Sequence, residues 1–148
     1  MLTALTTSGL FTGGWATTQP RSFYDSFPGL GRRWVAVDGV YNEHLTRDVG
    51  AFYLALAAVG IWAVASRRPH SSRLIGLAWT VFSLPHLAYH TEQLAHLALL
   101  DRIGTELTLG LTLLASLYLL TPARGETATT TSDDESSARA PEIPFDSA

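Results

Sequence analysis

Apolar residues gather into four stretches along the chain, and short polar segments separate them. An α-helix rises ~1.5 Å per residue, so about 20 apolar residues cross the hydrocarbon core of a bilayer. The stretches predict four transmembrane helices, at about residues 2–19, 42–66, 73–99 and 103–121. Pro85 lies inside the third stretch, where it removes a backbone hydrogen bond and predicts a kink. The predicted fold class is therefore all-α, with a four-helix transmembrane bundle over residues 1–124.

The first stretch has a second interpretation. Residues 2–19 carry no charged side chain but are rich in Thr and Gly, which are poor helix formers in water and are tolerated in membrane helices. A secretory signal peptide normally begins with a basic region and ends in small residues, whereas this stretch has no basic residue and its end runs into Thr-Gln-Pro. We therefore predict that residues 2–19 form a helix of the bundle.

Two segments lie outside the predicted helices. Residues 20–41 alternate aromatic side chains with Arg, Asp, Gly and Pro, which predicts an outer interfacial loop with its rings at headgroup level. This loop is either a small lid without function or a binding loop, and its aromatic residues are Phe23, Tyr24, Phe27 and Trp34. Residues 125–148 are dominated by Thr, Ser, Asp, Glu, Ala and Pro without hydrophobic periodicity, which predicts a disordered acidic tail.

Charge is distributed unevenly along the 148 residues. Residues 1–124 hold nine Arg against seven acidic residues, and residues 125–148 hold one Arg against six. The chain has no Lys and no Cys, so disulfides and thiolate metal sites are excluded. Its Arg residues do not form a cluster interleaved with aromatics, so nucleic acid is not an expected partner. The expected partners are the lipid bilayer and either another membrane protein or a second copy of the chain.

The placement of Arg predicts the orientation. The short loop between the second and third predicted helices contains Arg67, Arg68 and Arg73 without an acidic residue, which marks it as cytoplasmic under the positive-inside rule. Both termini are then cytoplasmic, and residues 20–41 and 99–102 face outward. The expected location is the cell membrane, as a multi-pass protein.

Ionisable side chains fall inside the predicted helices, where they are costly and usually functional. His86 and His90 are one helical turn apart, and Gln93 continues the same face. At the start of the second helix, His44 and Asp48 also share a face. We expect these groups to meet in the outer half of the bilayer, in a polar cavity formed by Glu43, His44, Asp48, His86, His90 and Gln93.

The chemistry of this cavity stays open between several interpretations. A transition metal such as Zn, Fe, Mn or Cu would take its ligands from His44, Asp48, His86 and His90. A b-type haem could be clamped between His44 and His90. The same groups could instead hydrogen-bond between helices and hold the bundle in register, or relay protons. They could also line a small-molecule pocket beneath the aromatic loop, for an amphipathic or quinone-like ligand.

A family resemblance rests on the motifs Gly14-Trp15, Pro20-Arg21-Ser22-Phe23-Tyr24, Tyr41-Asn42-Glu43-His44-Leu45, Arg47-Asp48-Val49-Gly50 and Pro85-His86. Over about residues 5–121 the chain resembles the DoxX-like group of small four-helix bacterial membrane proteins, especially its uncharacterised actinobacterial branch. The resemblance implies a four-helix transmembrane bundle that includes the first helix. The family takes its name from a small membrane subunit of a quinone-linked oxidase, so the resemblance implies a link to quinone redox chemistry without assigning a catalytic residue.

The expected function is that of an integral membrane accessory or ligand-binding protein with a polar His/carboxylate cavity in the outer half of the bilayer. The alternative is a metal- or haem-dependent membrane oxidoreductase that uses the same histidines.

Overall fold

The computed structural model describes residues 1–121, apart from the side chain of Pro69, and this part of the chain is all-helical. Its elements are α1 (Leu2–Thr18), α2 (Pro20–Ser26), α3 (Glu43–Ser66), α4 (Pro69–Gln93), a single 3-10 turn (Leu94–His96) and α5 (Leu99–Leu120). The predicted acidic tail, residues 125–148, lies outside the described residues.

Glycines bring α1 and α3 into close contact. A Cβ atom added to Gly13 of α1 would lie 2.8 Å from the carbonyl oxygen of Gly50 in α3. A Cβ atom on Gly50 would lie 2.7 Å from the backbone nitrogen of Thr17, and one on Gly60 would meet the Thr6 hydroxyl. Small residues at such contacts let helix backbones approach and pack in membrane-type interfaces. The contact therefore fixes which face of α3 points towards α1.

The second helix pair, α4 and α5, is joined by a buried hydrogen bond. The Thr80 hydroxyl of α4 donates to the Ser116 hydroxyl of α5 over 2.9 Å. Nearer the start of α4, a Cβ atom on Gly76 would lie 2.9 Å from the Ser116 carbonyl oxygen. The two pairs meet in a small apolar core whose fully or nearly fully buried members are Leu5, Leu56, Ala63, Ile75 and Trp79.

The helix contacts define two ends of the bundle. Thr6 near the start of α1 lies against Gly60 near the end of α3, and Gly76 lies against Leu119 at the end of α5. The start of the chain, the α3–α4 turn at Arg67 and Arg68, and the end of α5 therefore share one end. Residues 20–41 and the break between α4 and α5 occupy the other end.

Three predicted helix boundaries differ from the structure. The helix predicted for 73–99 starts four residues earlier, at Pro69, because proline suits the first position of a helix. It ends at Gln93 rather than at 99. The Arg102 guanidinium donates to the carbonyl oxygens of Leu97 (2.8 Å) and Ala95 (3.1 Å), which stabilises the break, and α5 starts at Leu99 rather than at 103. Residues 20–41 were predicted as a loop, yet they begin with α2.

Two helices are long and apolar enough to cross a membrane, namely α3 and α5. Only 28% of the most apolar stretch of α3, and 11% of that of α5, is buried inside the protein, whereas the core helix of a soluble protein would be mostly buried. Large apolar side chains are exposed on both helices, including Val59, Ile61, Trp62, Leu107, Leu111, Leu114 and Leu117. Among the helices of residues 1–121, α1 and α4 do not meet the same criterion of length and composition.

Candidate functional site

A cavity of about 410 Å³ lies between the two helix pairs, at the end of the bundle that holds residues 20–41. This central cavity is lined by parts of α1, α2, α3, α4 and α5 and by the segment between α2 and α3. Small-molecule sites usually enclose about 300–1,000 Å³ and combine apolar walls with a few polar groups. The volume is therefore sufficient for a small organic molecule.

Residues 20–41, named here the cover segment, place aromatic rings against the cavity. Phe23 and Phe27 lie with ring centroids 4.7 Å apart, and Phe27 lies 6.3 Å from Trp34. The Tyr24 hydroxyl donates to the backbone carbonyl of Gly39, which holds the far end of the segment. All four aromatic residues predicted for this segment, Phe23, Tyr24, Phe27 and Trp34, line the cavity.

One carboxylate attaches the cover segment to α5. The same oxygen of Asp101 accepts hydrogen bonds from the Trp34 indole N–H (2.8 Å) and from the Arg32 guanidinium (3.0 Å). One turn further along α5, a Cβ atom on Gly104 would lie 2.8 Å from the Trp34 ring. The indole can pack there because Gly104 has no side chain. The position of Trp34 over the cavity thus depends on Asp101 and Gly104.

The two histidines of α4 line the cavity on one face, as predicted. The His86 ring stacks on Phe82, with centroids 4.9 Å apart and planes inclined by 24°, and meets the His90 ring edge-on at 4.7 Å. The His90 Nδ1 atom lies 3.7 Å from Oδ2 of Asp38, and both side chains are largely buried. Burial raises the pKa of the Asp38 carboxyl, against the opposing attraction of His90 and His96. His90 thus contacts an acid of the cover segment rather than one of α3.

Three residues that line the cavity each carry a buried polar atom with no hydrogen-bond partner within the described part of the chain. These atoms are Nε1 of Trp79, Oγ of Ser83 and Oγ1 of Thr105. Ser83 and Thr105 are each only 4% exposed. A buried polar atom without a partner costs about 1–3 kcal/mol, and such atoms are rare in native proteins. The wall of the cavity therefore has unused hydrogen-bonding capacity.

The polar residues predicted at the start of α3 lie elsewhere. His44 and Asp48 do share a face and approach each other to 3.2 Å, but their side chains are 88% and 60% exposed and do not line the cavity. Glu43 is also exposed and pairs with Arg47 at 2.9 Å. Gln93, at the end of α4, does not line the cavity either. The prediction that these residues meet His86 and His90 in one cavity is therefore wrong. Gly50 packs on α1, and this packing turns His44 and Asp48 outward.

This placement also corrects the metal and haem hypotheses. Among residues 1–121, no group of three or more His, Cys, Asp or Glu side chains is arranged to hold a metal ion. The four predicted ligands fall into two separate pairs, His44 with Asp48 on the surface and His86 with His90 in the cavity. A haem clamped by His44 and His90 does not fit, because His44 is outside the cavity that His90 lines.

Several cavity residues carry no strong signal in the sequence. Asp38 belongs to an irregular segment, so its contact with α4 has no periodic pattern. Thr105, Thr108 and Thr112 follow helical spacing on one face of α5, which could have indicated an inward polar stripe. Ser83 lies one turn before His86 and Leu87, so the histidine face could have been extended to it.

No protein-family model, curated protein or solved structure matches the chain. The DoxX-like resemblance stays a prediction from the quoted motifs. The class follows from residues 1–121: an all-helical bundle with two helices apolar enough to cross a membrane and an aromatic cavity whose lining residues include unpaired hydrogen-bonding groups.

Proposed function

We propose that this chain is a four-helix integral membrane protein that binds an uncharged amphipathic molecule of the quinone type in the central cavity. The observation that carries the proposal is that three residues lining one aromatic cavity, Trp79, Ser83 and Thr105, each carry a buried polar atom without a hydrogen-bond partner. A ligand with hydrogen-bond acceptors would satisfy them and remove the cost of leaving them unpaired.

Membrane insertion is supported by the exposed apolar faces of α3 and α5. With these two helices across the bilayer, α1 with 17 residues and α4 with 25 residues fall within the range of about 17–25 residues found for crossings, and α1 packs along α3 and α4 along α5. The Arg67–Arg68 turn then faces the cytoplasm, together with the start of α1 and the end of α5. The cover segment faces outward. The cavity lies in the outer half of the bilayer in this arrangement.

The charge of the cavity favours a neutral ligand. Asp38 is the acid that lines it, it lies 3.7 Å from His90, and burial favours its uncharged form by raising its pKa. An organic cation would therefore meet no fixed carboxylate charge, and burying an anion would cost free energy because no Arg among the described residues lines the cavity. The Trp79 N–H can only donate, so the ligand must present an acceptor to it.

A quinone ring meets these requirements because it is flat, uncharged and carries two carbonyl acceptors. Its faces can stack on the aromatic rings that surround the cavity, in offset or edge-on arrangements. The His86 ring, already stacked on Phe82, lies on the same wall as Ser83 and could donate to the second carbonyl. In this role the chain is an accessory or ligand-binding component linked to quinone redox chemistry.

The test is a binding titration of the purified protein in lipid nanodiscs with a decyl-substituted benzoquinone, followed by quenching of tryptophan fluorescence. The native chain should give saturable quenching. Trp79→Phe keeps an aromatic ring but removes the N–H donor, and the loss of one hydrogen bond should raise Kd about tenfold.

Trp62→Phe is the matched control, because Trp62 is exposed on α3 and does not line the cavity. This variant should keep the native Kd within about twofold. Quenching of the native protein that rises linearly without saturation would mean that the quinone only dissolves in the lipid, and it would contradict the proposed function.

A further inference from the structure

The helices α3 and α4 meet at one end and separate at the other. Next to their connecting turn, the Ser66 hydroxyl donates to the Ser71 hydroxyl over 3.1 Å. Further along, a layer of aromatic rings joins the two helices. The ring centroids of Phe52 and Tyr53 lie 5.3 Å and 5.2 Å from that of Phe82. Beyond this layer the cavity itself occupies the space between them.

The gap between α3 and α4 has four edges. The ring contact of Phe52 with Phe82 forms its base, and the contact of Asp38 with His90 crosses its top. The side edges are the α3 residues Leu45 and Val49 and the α4 residue Tyr89, all of which line the cavity. We name this opening the α3–α4 window.

The side chains along the window are both part of the cavity wall and exposed at the outer surface. Leu45 is 59% exposed, Val49 38% and Tyr89 47%, whereas Ser83 at the inner wall is almost completely buried. The cavity wall therefore continues to the surface along this side. On the α3 side the rim is apolar, and it leads onto the exposed ring of Phe52 on the same helix.

On the opposite side, between α1 and α5, the exposed lining residues are different. Ser8 and Thr108 both line the cavity and are exposed, so this side carries hydroxyl groups. A hydrocarbon chain finds no polar group to desolvate along Leu45 and Val49, but it would cover hydroxyls along Ser8 and Thr108. The two sides thus differ in the chemistry that they accept.

We infer that the α3–α4 window is the lateral entrance of the cavity, and that it holds the apolar chain of a ligand whose polar ring lies among Trp79, Ser83 and Thr105. The inference rests on the proposed function and adds the ligand class to it: a lipid-soluble molecule with one polar ring and one hydrocarbon chain, taken directly from the bilayer. The ring fits inside about 410 Å³, and the chain extends through the window into lipid.

The test fills the window with a larger side chain. Val49→Trp places an indole at the rim, and Val59→Trp is the matched control on the same helix, because Val59 is exposed and does not line the cavity. Each protein is titrated in nanodiscs with a decyl-substituted benzoquinone and with the same ring lacking the decyl chain. Val49→Trp should raise Kd for the decyl compound by about tenfold or more and change Kd for the bare ring by less than about twofold, whereas Val59→Trp should change neither.

The outcomes separate the two proposals. If the native protein binds neither compound, the proposed function fails and the entrance has no ligand to admit. If the native protein binds both, and Val49→Trp behaves like Val59→Trp, the window alone is refuted. A selective loss of the decyl compound in Thr108→Trp instead of Val49→Trp would place the entrance between α1 and α5 and would also overturn the inference.

A second measurement needs no substitution at the window. A benzoquinone with a photoreactive diazirine at the end of its alkyl chain is bound to the native protein, irradiated, and its adducts are mapped by mass spectrometry. Adducts should fall on Leu45, Val49, Phe52 or Tyr89, and unlabelled decyl compound should suppress them. Competed adducts on Ser8 or Thr108 in place of these residues would contradict the window.

Discussion

Ser83 and Ser116 are both buried serines, but only one of them has a hydrogen-bond partner in the described part of the chain. The Ser116 hydroxyl joins α5 to Thr80 of α4, whereas the Ser83 hydroxyl is unpaired in the cavity wall. A paired hydroxyl stabilises the fold, and an unpaired buried one reduces its stability until a ligand contacts it. At the scale of single residues, the candidate site is thus marked by buried polar atoms that have no hydrogen-bond partner. Their burial costs free energy that no contact among the described residues offsets.

Removing the two serine hydroxyls should therefore have opposite effects on the ligand-free protein. Ser116→Ala should lower the free energy of unfolding by about 0.6–2 kcal/mol, the range of interhelical hydrogen bonds in membranes. Ser83→Ala should leave it unchanged or raise it by up to about 1–3 kcal/mol, because an unpaired polar atom is removed. Chemical unfolding in detergent micelles measures both. A larger loss for Ser83→Ala than for Ser116→Ala would show that Ser83 has a structural partner, and it would weaken the case for the site.

The Asp38 carboxyl provides a prediction for pH. Burial raises its pKa, so the folded protein binds this proton more tightly than the unfolded chain does. Its contribution to stability is then present at low pH and is lost as pH rises from the ordinary Asp pKa through the raised one. Asp38→Asn cannot lose a proton, so its Tm relative to the native protein should increase between about pH 4 and about pH 7. A relative Tm that decreases over this range would mean that His90 holds Asp38 ionised.

At the scale of helices, the rotation of α3 explains which of the predicted side-chain contacts form. His86 and His90 were correctly placed together, because spacing along one helix is a local property. His44 and Asp48 were correctly paired with each other, but their position relative to α4 depends on how α3 is turned. The sequence contained the deciding signal, since Gly50, Ala57 and Gly60 mark the face that packs closely on α1. Polar residues do not mark the inward face of α3, and no sequence pattern indicates the exposed rim at Leu45 and Val49.

The close contact of α1 with α3 can be tested by two neighbouring glycines. Gly13→Ala places a methyl group 2.8 Å from backbone atoms of α3 and should destabilise the protein by about 1–3 kcal/mol. Gly14→Ala is the matched control, because nothing lies within 4 Å of its added Cβ, and it should be neutral or stabilising by up to about 1 kcal/mol. Thermal unfolding in detergent compares the two. Equal Tm values for both variants would contradict the packing of α1 on α3.

The attachment of the cover segment to α5 depends on Asp101. Asp101→Ala removes the acceptor for both Arg32 and Trp34, and each hydrogen bond to a charged group contributes about 1.5–3 kcal/mol. The segment should then open more often, and trypsin should cleave after Arg32 or Arg33 at least about tenfold faster. Asp48→Ala, which removes an exposed acid paired with His44, should leave this rate unchanged. Equal cleavage rates in both variants would show that Asp101 does not hold the segment.

At the scale of the whole molecule, the order of helices follows from the apolar stretches, and their assembly does not. Each of the four long helices lies within a few residues of its predicted range, because a run of apolar residues favours a helix whatever its neighbours. The short α2 and the contact of Asp38 with His90 depend on how an irregular segment folds over the bundle. Hydrophobic periodicity does not predict contacts made by an irregular segment. The sequence therefore predicts the cavity only as a pocket beneath aromatic residues.

In the proposed function the apolar outer surface, the cavity and the window act together. Exposed side chains of α3 and α5 suit a lipid environment, and the cavity wall is unpaired where a ring with acceptors would bind. The cover segment is attached to α5 through Asp101 and closes one end of the cavity, so in the proposed function the apolar rim at Leu45 and Val49 is the path for a hydrocarbon chain. The central claim is that the unpaired hydroxyls bind the ligand.

The most direct test is isothermal titration calorimetry of decyl-substituted benzoquinone into the nanodisc-embedded protein and its Ser83→Ala/Thr105→Val variant. The native protein should bind the ligand at a single saturable site. The double variant should fold with native stability or better and bind about tenfold to a hundredfold more weakly, because two hydrogen bonds are lost. Ser72→Ala/Thr91→Val, which changes hydroxyls outside the cavity, should bind as the native protein does. Native-like affinity in the Ser83→Ala/Thr105→Val variant, or an absence of saturable binding in the native protein, would contradict the account.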